Sequence, residues 1–154
     1  DFNSSNRNKN KKNNAYLLQI GHGENFSYNP NASVNDFIED YAKTIPDAIA
    51  IQFNNDSISY AQLKRKVNQL AHFLIKQGLN TKGKVAIYFM PSLEMVISIL
   101  AVLKAGCCYV PLDIHYPVDR LTFILNDCSV AYLLAQTGLA STFTEENIKT
   151  IFID

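Results

Sequence analysis

Apolar positions in this chain switch repeatedly between a helical and a strand rhythm, and each switch predicts an element. Leu63, Val67, Leu70, Ala71 and Leu74 recur at helical spacing, while Lys64, Lys66, Gln69 and Lys76 fall on the other side. That is an amphipathic helix, with Gly78 as its left-handed stop. Val85-Ala-Ile-Tyr-Phe89 is a continuous apolar run of strand length, the pattern of a strand covered on both faces. After Pro91 and Ser92, the residues from Leu93 to Lys104 are apolar on nearly every side, which predicts a deeply packed helix. Lys104 stands where a cation favours a helix C-terminus, and Gly106 supplies the positive φ needed to leave the helix. Cys107 and Cys108 are small enough for tight packing as Cys108 to Pro111 forms the next strand, with Pro111 marking its end or a sheet edge. Pro117 is placed as the first residue of a helix running to about Asp127, with Asp119 in its positive first turn. Residues 130–134 and 150–153 add two more strands.

The same rhythms continue upstream. Ser33 is a helix cap, and Val34, Phe37, Ile38 and Tyr41 make the apolar side of the helix that Pro46 and Asp47 close. Residues 48–53 read as a buried strand, paired through Asn54-Asn55-Asp56 with Ser57 to Ser59 in a hairpin. Strands alternating with helices predict an α/β fold, a three-layer and mainly parallel sheet flanked by helices. Residues 33–154 carry it. Residues 1–14, with six asparagines and Phe2 as the sole large apolar side chain, read as a disordered, removable tail, and residues 15–32 as a linker-like segment.

Composition narrows the function classes. A net charge of zero gives no long-range attraction to nucleic acid or to an anionic membrane. The longest apolar run, Met95 to Leu103, is far short of the ~20 residues of a membrane span. No charged segment leads into a secretory signal core, and Asp1 in place of methionine suits a processed, excised or incomplete piece. Cys107, Cys108 and Cys128 lack zinc-like spacing and read as small, buried, reduced thiols, which points to the cytoplasm.

Few residues invite chemistry. Asp113, His115 and Asp119 form a polar cluster beyond a strand end, where α/β proteins often bind ligands, but no nucleophile paired with a base is among them. A turn and a helix cap explain them. His22 and His72 stand alone, at surface positions. Gly21-His-Gly-Glu-Asn25 has neither the strand-to-helix setting nor the lysine of a phosphate loop. Thr137-Gly138 and Ser141-Thr142 likewise have no glycine repeat or lysine beside them. Arg120 lies two turns before Asp127, too far for a local salt bridge, so it is expected to tether its helix to a tertiary partner. No catalytic, cofactor-binding or metal-binding residue is assigned.

Four segments in register do carry a resemblance. Leu103-Lys-Ala-Gly-Cys-Cys-Tyr-Val-Pro-Leu-Asp113, Thr44-Ile-Pro-Asp-Ala-Ile-Ala50, Ile58-Ser-Tyr-Ala-Gln-Leu63 leading into Asn68-Gln-Leu-Ala71, and Tyr116-Pro-Val-Asp-Arg120 resemble motifs of nonribosomal peptide synthetase adenylation domains. These belong to the AMP-forming, adenylate-forming superfamily. The resemblance runs from about Ser33 to the C-terminus and implies the N-terminal part of the family's large subdomain. It implies that the whole domain uses ATP and Mg2+ to make an aminoacyl-adenylate and then loads a carrier-protein phosphopantetheine. Its implied partners are the remainder of the adenylation domain, a peptidyl carrier domain and an upstream condensation domain. The family's phosphate loop ending in Pro-Lys-Gly, its ribose-binding aspartate and its mobile lysine do not occur in this sequence, so the chain alone is expected to bind no cofactor and to be inactive. A stand-alone carrier-protein or acyl-CoA ligase of the same superfamily, and a truncated non-enzymatic α/β module, are the alternative readings.

Overall fold

The computed structural model describes residues 29–139 and 147–153. The tail at 1–14, Gly21-His-Gly-Glu-Asn25 with His22, and Ser141-Thr142 lie outside the described residues. The fold begins at α1, Val34–Thr44, where Ser33 and Asp36 cap each other: Ser33 Oγ accepts from the Asp36 N–H at 3.3 Å, and Asp36 Oδ2 accepts from the Ser33 N–H at 2.7 Å. An antiparallel hairpin follows, β1 at Ile49–Phe53 and β2 at Asp56–Ser59. Its two-residue loop places Asn54 at φ +53, a conformation that asparagine tolerates better than most residues. Ser59 closes β2 and caps α2, Tyr60–Lys76, through a second reciprocal box with Gln62.

The chain then winds a four-stranded, wholly parallel sheet in the order β4-β3-β5-β6. Its strands are β3 at Lys84–Tyr88, β4 at Cys108–Pro111, β5 at Tyr132–Ala135 and β6 at Lys149–Phe152. Helix α3, Leu93–Lys104, joins β3 to β4, and α4, Val118–Asp127, returns from β4 to β5 past β3. The continuous apolar run of β3 now has its reason. Val85 and Ile87 enter a cluster with Leu63, Val67 and Leu74 of α2 and Ile97 and Val102 of α3. Ala86 and Tyr88 enter a second cluster with Leu121 and Leu125 of α4. In β5, Leu134 faces the first cluster while Leu133 and Ala135 face the second, so helices cover both faces as expected.

Among the described residues, the three helices that lead into the sheet stop the same way. The N–H of Leu79 reaches Leu74 O at 3.1 Å, that of Cys107 reaches Val102 O at 3.1 Å, and that of Val130 reaches Leu125 O at 3.0 Å. Each chain turns there through a left-handed residue: Gly78 at φ +96, Gly106 at φ +75 and Ser129 at φ +52.

Four expectations need correction. Residues 48–53 are not a buried strand: β1 stands outside the parallel sheet, with Ile49 61% and Phe53 38% exposed. Helix α1 buries only part of its predicted apolar side: Ile38 points inward with Asn35, while Val34, Phe37 and Tyr41 stay exposed. The buried Asn35 donates to Leu100 O at 3.3 Å, which satisfies the polar group that burial would otherwise penalise. Of the free thiols, Cys107 alone is fully buried; Cys108 is exposed on the edge strand and Cys128 is half-buried. Pro117 is the N-cap of α4 and not its first helical residue.

Ser98 supplies a stability prediction. It is fully buried in α3, and its Oγ has no hydrogen-bond partner among the described residues. Ser98→Ala removes an unsatisfied hydroxyl and improves helix propensity, so it should stabilise the chain by about 1 kcal/mol. A calorimetric midpoint raised by about 2–8 °C is the expected result.

Candidate functional site

In a parallel sheet the strands deliver their following loops to one end, and that carboxyl end is where α/β folds place ligands. Here β3 delivers Met90 and Ser92, β4 delivers Asp113 and His115, and β5 delivers Gln136 and Thr137. Ser92 Oγ accepts from the Met95 N–H at 3.2 Å and caps α3. Gln136 Oε1 accepts from the Met90 N–H at 2.9 Å, so the loops after the adjacent strands β3 and β5 are tied together.

Asp113 and His115 are brought together as the sequence suggested, and Asp119 is not. Asp113 Oδ1 lies 2.9 Å from both the backbone N–H and Nδ1 of His115, a local turn whose imidazole is largely exposed. The backbone N–H of His115, then its ring, hold the Asp113 carboxyl below the usual aspartate range. Asp119 sits in the first turn of α4 and hydrogen-bonds to neither residue. Removing the ring by His115→Ala should raise the Asp113 pKa part of the way, because the backbone donor stays. Since the folded value is the depressed one, the ring's contribution is present above about pH 4 and fades as pH falls through the folded value. A carboxyl-carbon NMR titration of the two proteins reads the shift directly.

Among the described residues, Arg120 is not seen to reach across to another element. Its guanidinium lies 5.4 Å from the centre of the Phe123 ring, one turn along the same helix, and both side chains are exposed. His72 is on the surface, as expected. Lys104 does more than complement a helix terminus: it pairs with Glu39 of α1, and that cation holds the Glu39 carboxyl below its ordinary value. Burial pushes the Cys107 thiol up, away from the reactive thiolate. Glu39 and Gln136 have no local sequence signal, because their partners Lys104 and Met90 lie 65 and 46 residues away along the chain. A groove of about 370 Å3, lined by Lys66, Leu70, Phe73, Glu94, Ile97 and Ile153, lies between α2 and α3 on the face opposite α4.

These groups do not fit a nucleotide triphosphate or its magnesium ion. Among the described residues no three of His, Cys, Asp and Glu converge into a metal-holding group. Thr137-Gly138 has no neighbouring lysine, and a Cβ at Gly138 would meet nothing within 4 Å, so no close backbone cradle is built there. Nor is any helix among the described residues long and apolar enough to cross a membrane.

Residues 38–152 match the model of the AMP-binding enzyme family, a span that takes in both halves of the fold and the whole Leu103–Asp113 stretch. The chain belongs to the AMP-binding enzyme family. Within it, the chain is similar to nonribosomal peptide synthetases: it is 43% identical over 113 residues to tyrocidine synthase 1 of Brevibacillus parabrevis. That match covers 73% of this chain and 10% of the synthase. Among solved structures, the Klebsiella oxytoca NpsA N-terminal subdomain in complex with anthranilyl-AMSN superposes with a TM-score of 0.70 at 24% identity, over 77% of this chain and 30% of that one. An artificially fused adenylation–PCP di-domain from the same organism, NpsA-ThdA, gives 0.71 at 24% identity over 78% and 22%. The AMP-binding chain therefore carries the fold of part of an adenylation subdomain and spans about a tenth of the length of the synthase it matches.

Proposed function

We propose that the chain is the N-terminal scaffold of an adenylation domain that activates an amino acid with ATP and Mg2+, in the cytoplasm, and passes it to a carrier-domain phosphopantetheine. The observation that carries this reading is the family match over residues 38–152 joined to the 43% identity with tyrocidine synthase 1. A carrier partner is supported by the NpsA-ThdA di-domain, in which an adenylation domain is fused to a PCP. A condensation domain upstream is the further partner suggested by the linker-like residues 15–32.

In this reading the chain's residues hold and position, and none performs the reaction. Adenylate formation needs donors for the triphosphate and a cation against its developing charge. The carboxyl end described above offers Asp113, His115 and Gln136, whose polar atoms serve turns and strand ends. The test is amino-acid-dependent pyrophosphate exchange with radiolabel, run on the 154-residue chain and on a longer polypeptide extended through the phosphate loop and the C-terminal subdomain. Exchange in the longer protein alone is the expected result. Exchange in the short chain that Asp113→Ala abolishes would overturn the scaffold assignment.

A further inference from the structure

Helix α2 carries Lys64, Arg65, Lys66 and Lys76 and no aspartate or glutamate, although the chain as a whole is neutral. Nothing along the helix neutralises these cations. Lys64 is near enough to Glu39 of α1 to help hold that carboxyl down. Arg65 and Lys66 have no such company: among the described residues neither makes an ion pair or a hydrogen bond. Both line a cavity of about 180 Å3, together with Ser57 of β2 and Gln62. Gln62 Oε1 already accepts from the Ser59 N–H at 2.9 Å, so its side chain offers a ligand only the amide donors. Two cations, an amide NH2 and a hydroxyl free to turn its proton inward present donors alone, the complement of an anion.

Lys66 also lines the groove of about 370 Å3, so the two cavities meet at that residue. Beyond it the walls turn apolar. Leu70 and Phe73 stand one and two turns further along α2, across from Ile97 of α3, and Phe73 is 43% exposed. The rise from Lys66 to Phe73 is about 10 Å, the reach of a chain of about eight carbons, and a groove of this volume is of the size that holds a small ligand. Glu94 is the acid on the groove lining. It repels an anionic head from the groove itself and leaves it the side of Lys66 where Ser57 and Gln62 stand.

We propose that the two cavities form one site for a small anionic amphipath: a carboxylate or phosphate head held by Arg65 and Lys66, and an unbranched apolar tail of about eight carbons laid over Leu70, Phe73 and Ile97. The site shares no residue with Asp113, His115 or Gln136 and does not depend on the adenylation reading. Its two ends respond to different variables. Salt weakens the hold on the head, and shortening the chain weakens the hold on the tail.

Equilibrium dialysis of the 154-residue chain against radiolabelled octanoate and octyl phosphate tests the site. Saturable one-to-one binding is expected, and the tighter of the two ligands identifies the head. Arg65→Gln combined with Lys66→Gln should weaken it about 10-fold. Phe73→Ser should also cost about 10-fold, as should the hexyl homologue of either ligand, which repeats the tail measurement with no change to the protein. Phe37→Ser, at an exposed apolar position of α1, should leave binding as it is. Octanol binding as tightly as the anions would overturn the proposal, because the cations then do nothing. Inorganic phosphate binding as tightly as octyl phosphate would overturn it too, because the tail then does nothing. So would a loss on Phe37→Ser in place of Phe73→Ser, or no saturable binding of either ligand at millimolar concentration.

Discussion

Leu134→Ala is expected to remove about 2–5 kcal/mol of stability, the range for truncating a leucine in a core that cannot collapse around the gap. Leu134 is fully buried on β5, which is hydrogen-bonded to β3 on one side and β6 on the other. A side chain held by strands on both sides leaves a cavity that no neighbour can move in to fill. Domains of this size have only about 5–15 kcal/mol in hand. A urea titration should show the midpoint falling by about 1–3 M with an unchanged slope. Leu121→Ala, on the α4 side of the sheet, should cost a similar amount and add to it, since the two side chains lie in separate clusters. The double variant is then expected to be unfolded at 25 °C. Phe152→Ala is the control: Phe152 is half exposed at the end of β6, and its loss should stay within about 1 kcal/mol. A Leu134→Ala protein with an unshifted midpoint would mean that the sheet is not the core of this chain.

The parallel sheet was legible because burial on both faces leaves an unmistakable trace. Val85 to Tyr88 must satisfy two clusters at once, so every position is apolar and no other element type fits that run at that length. Helix α2 was legible for the opposite reason: one face is buried and the other wet, so lysines and leucines separate cleanly. The failures came where apolarity and burial part company. Val34, Phe37 and Tyr41 make an apolar stripe on α1, and a helical pattern says only that a stripe exists, not that anything within this chain covers it. Beside the buried Ile38, α1 is held by a buried amide, Asn35 on Leu100 O, and an ion pair between Glu39 and Lys104, both joining residues 65 positions apart. No local window of sequence contains both ends of such a contact. Strand β1 failed similarly: Ile49 to Phe53 reads as a core strand, yet its partner β2 is a four-residue arm. Arg120 reads as a cation in need of a distant acidic partner, whereas Phe123, three residues on, offers its ring.

The candidate site divides along the same line. Asp113 and His115 were foreseeable because their contact spans two residues. Gln136 was not, because its significance depends on β3 and β5 being neighbours, and they are 47 residues apart in register while β4 lies between them in the chain.

Gly106→Val should destabilise the chain by about 1–3 kcal/mol, the cost of holding a β-branched residue in the left-handed region. Gly106 sits at φ +75 in the stretch that ends α3 and starts β4. Its carbonyl accepts from the Lys82 N–H at 2.8 Å, and its own N–H reaches Leu103 O at 3.0 Å, so the turn is pinned on both sides and the chain cannot rotate to relieve the strain. Room is not the main obstacle, because a Cβ would meet the Thr81 methyl at 3.5 Å, an ordinary contact. The effect is therefore conformational, and that makes it separable. Gly106→Asn should lose much less than Gly106→Val, since asparagine visits this region at lower cost. Ser129, at φ +52 in the matching position after α4, already bears the strain that Gly106 avoids, so Ser129→Gly should be neutral or stabilising by up to about 1 kcal/mol. Thermal midpoints ordered Ser129→Gly, wild type, Gly106→Asn, Gly106→Val, from highest to lowest, would establish backbone geometry as the reason that glycine stands in the Lys-Ala-Gly turn. Equal losses for Asn and Val would point instead to a contact at Thr81.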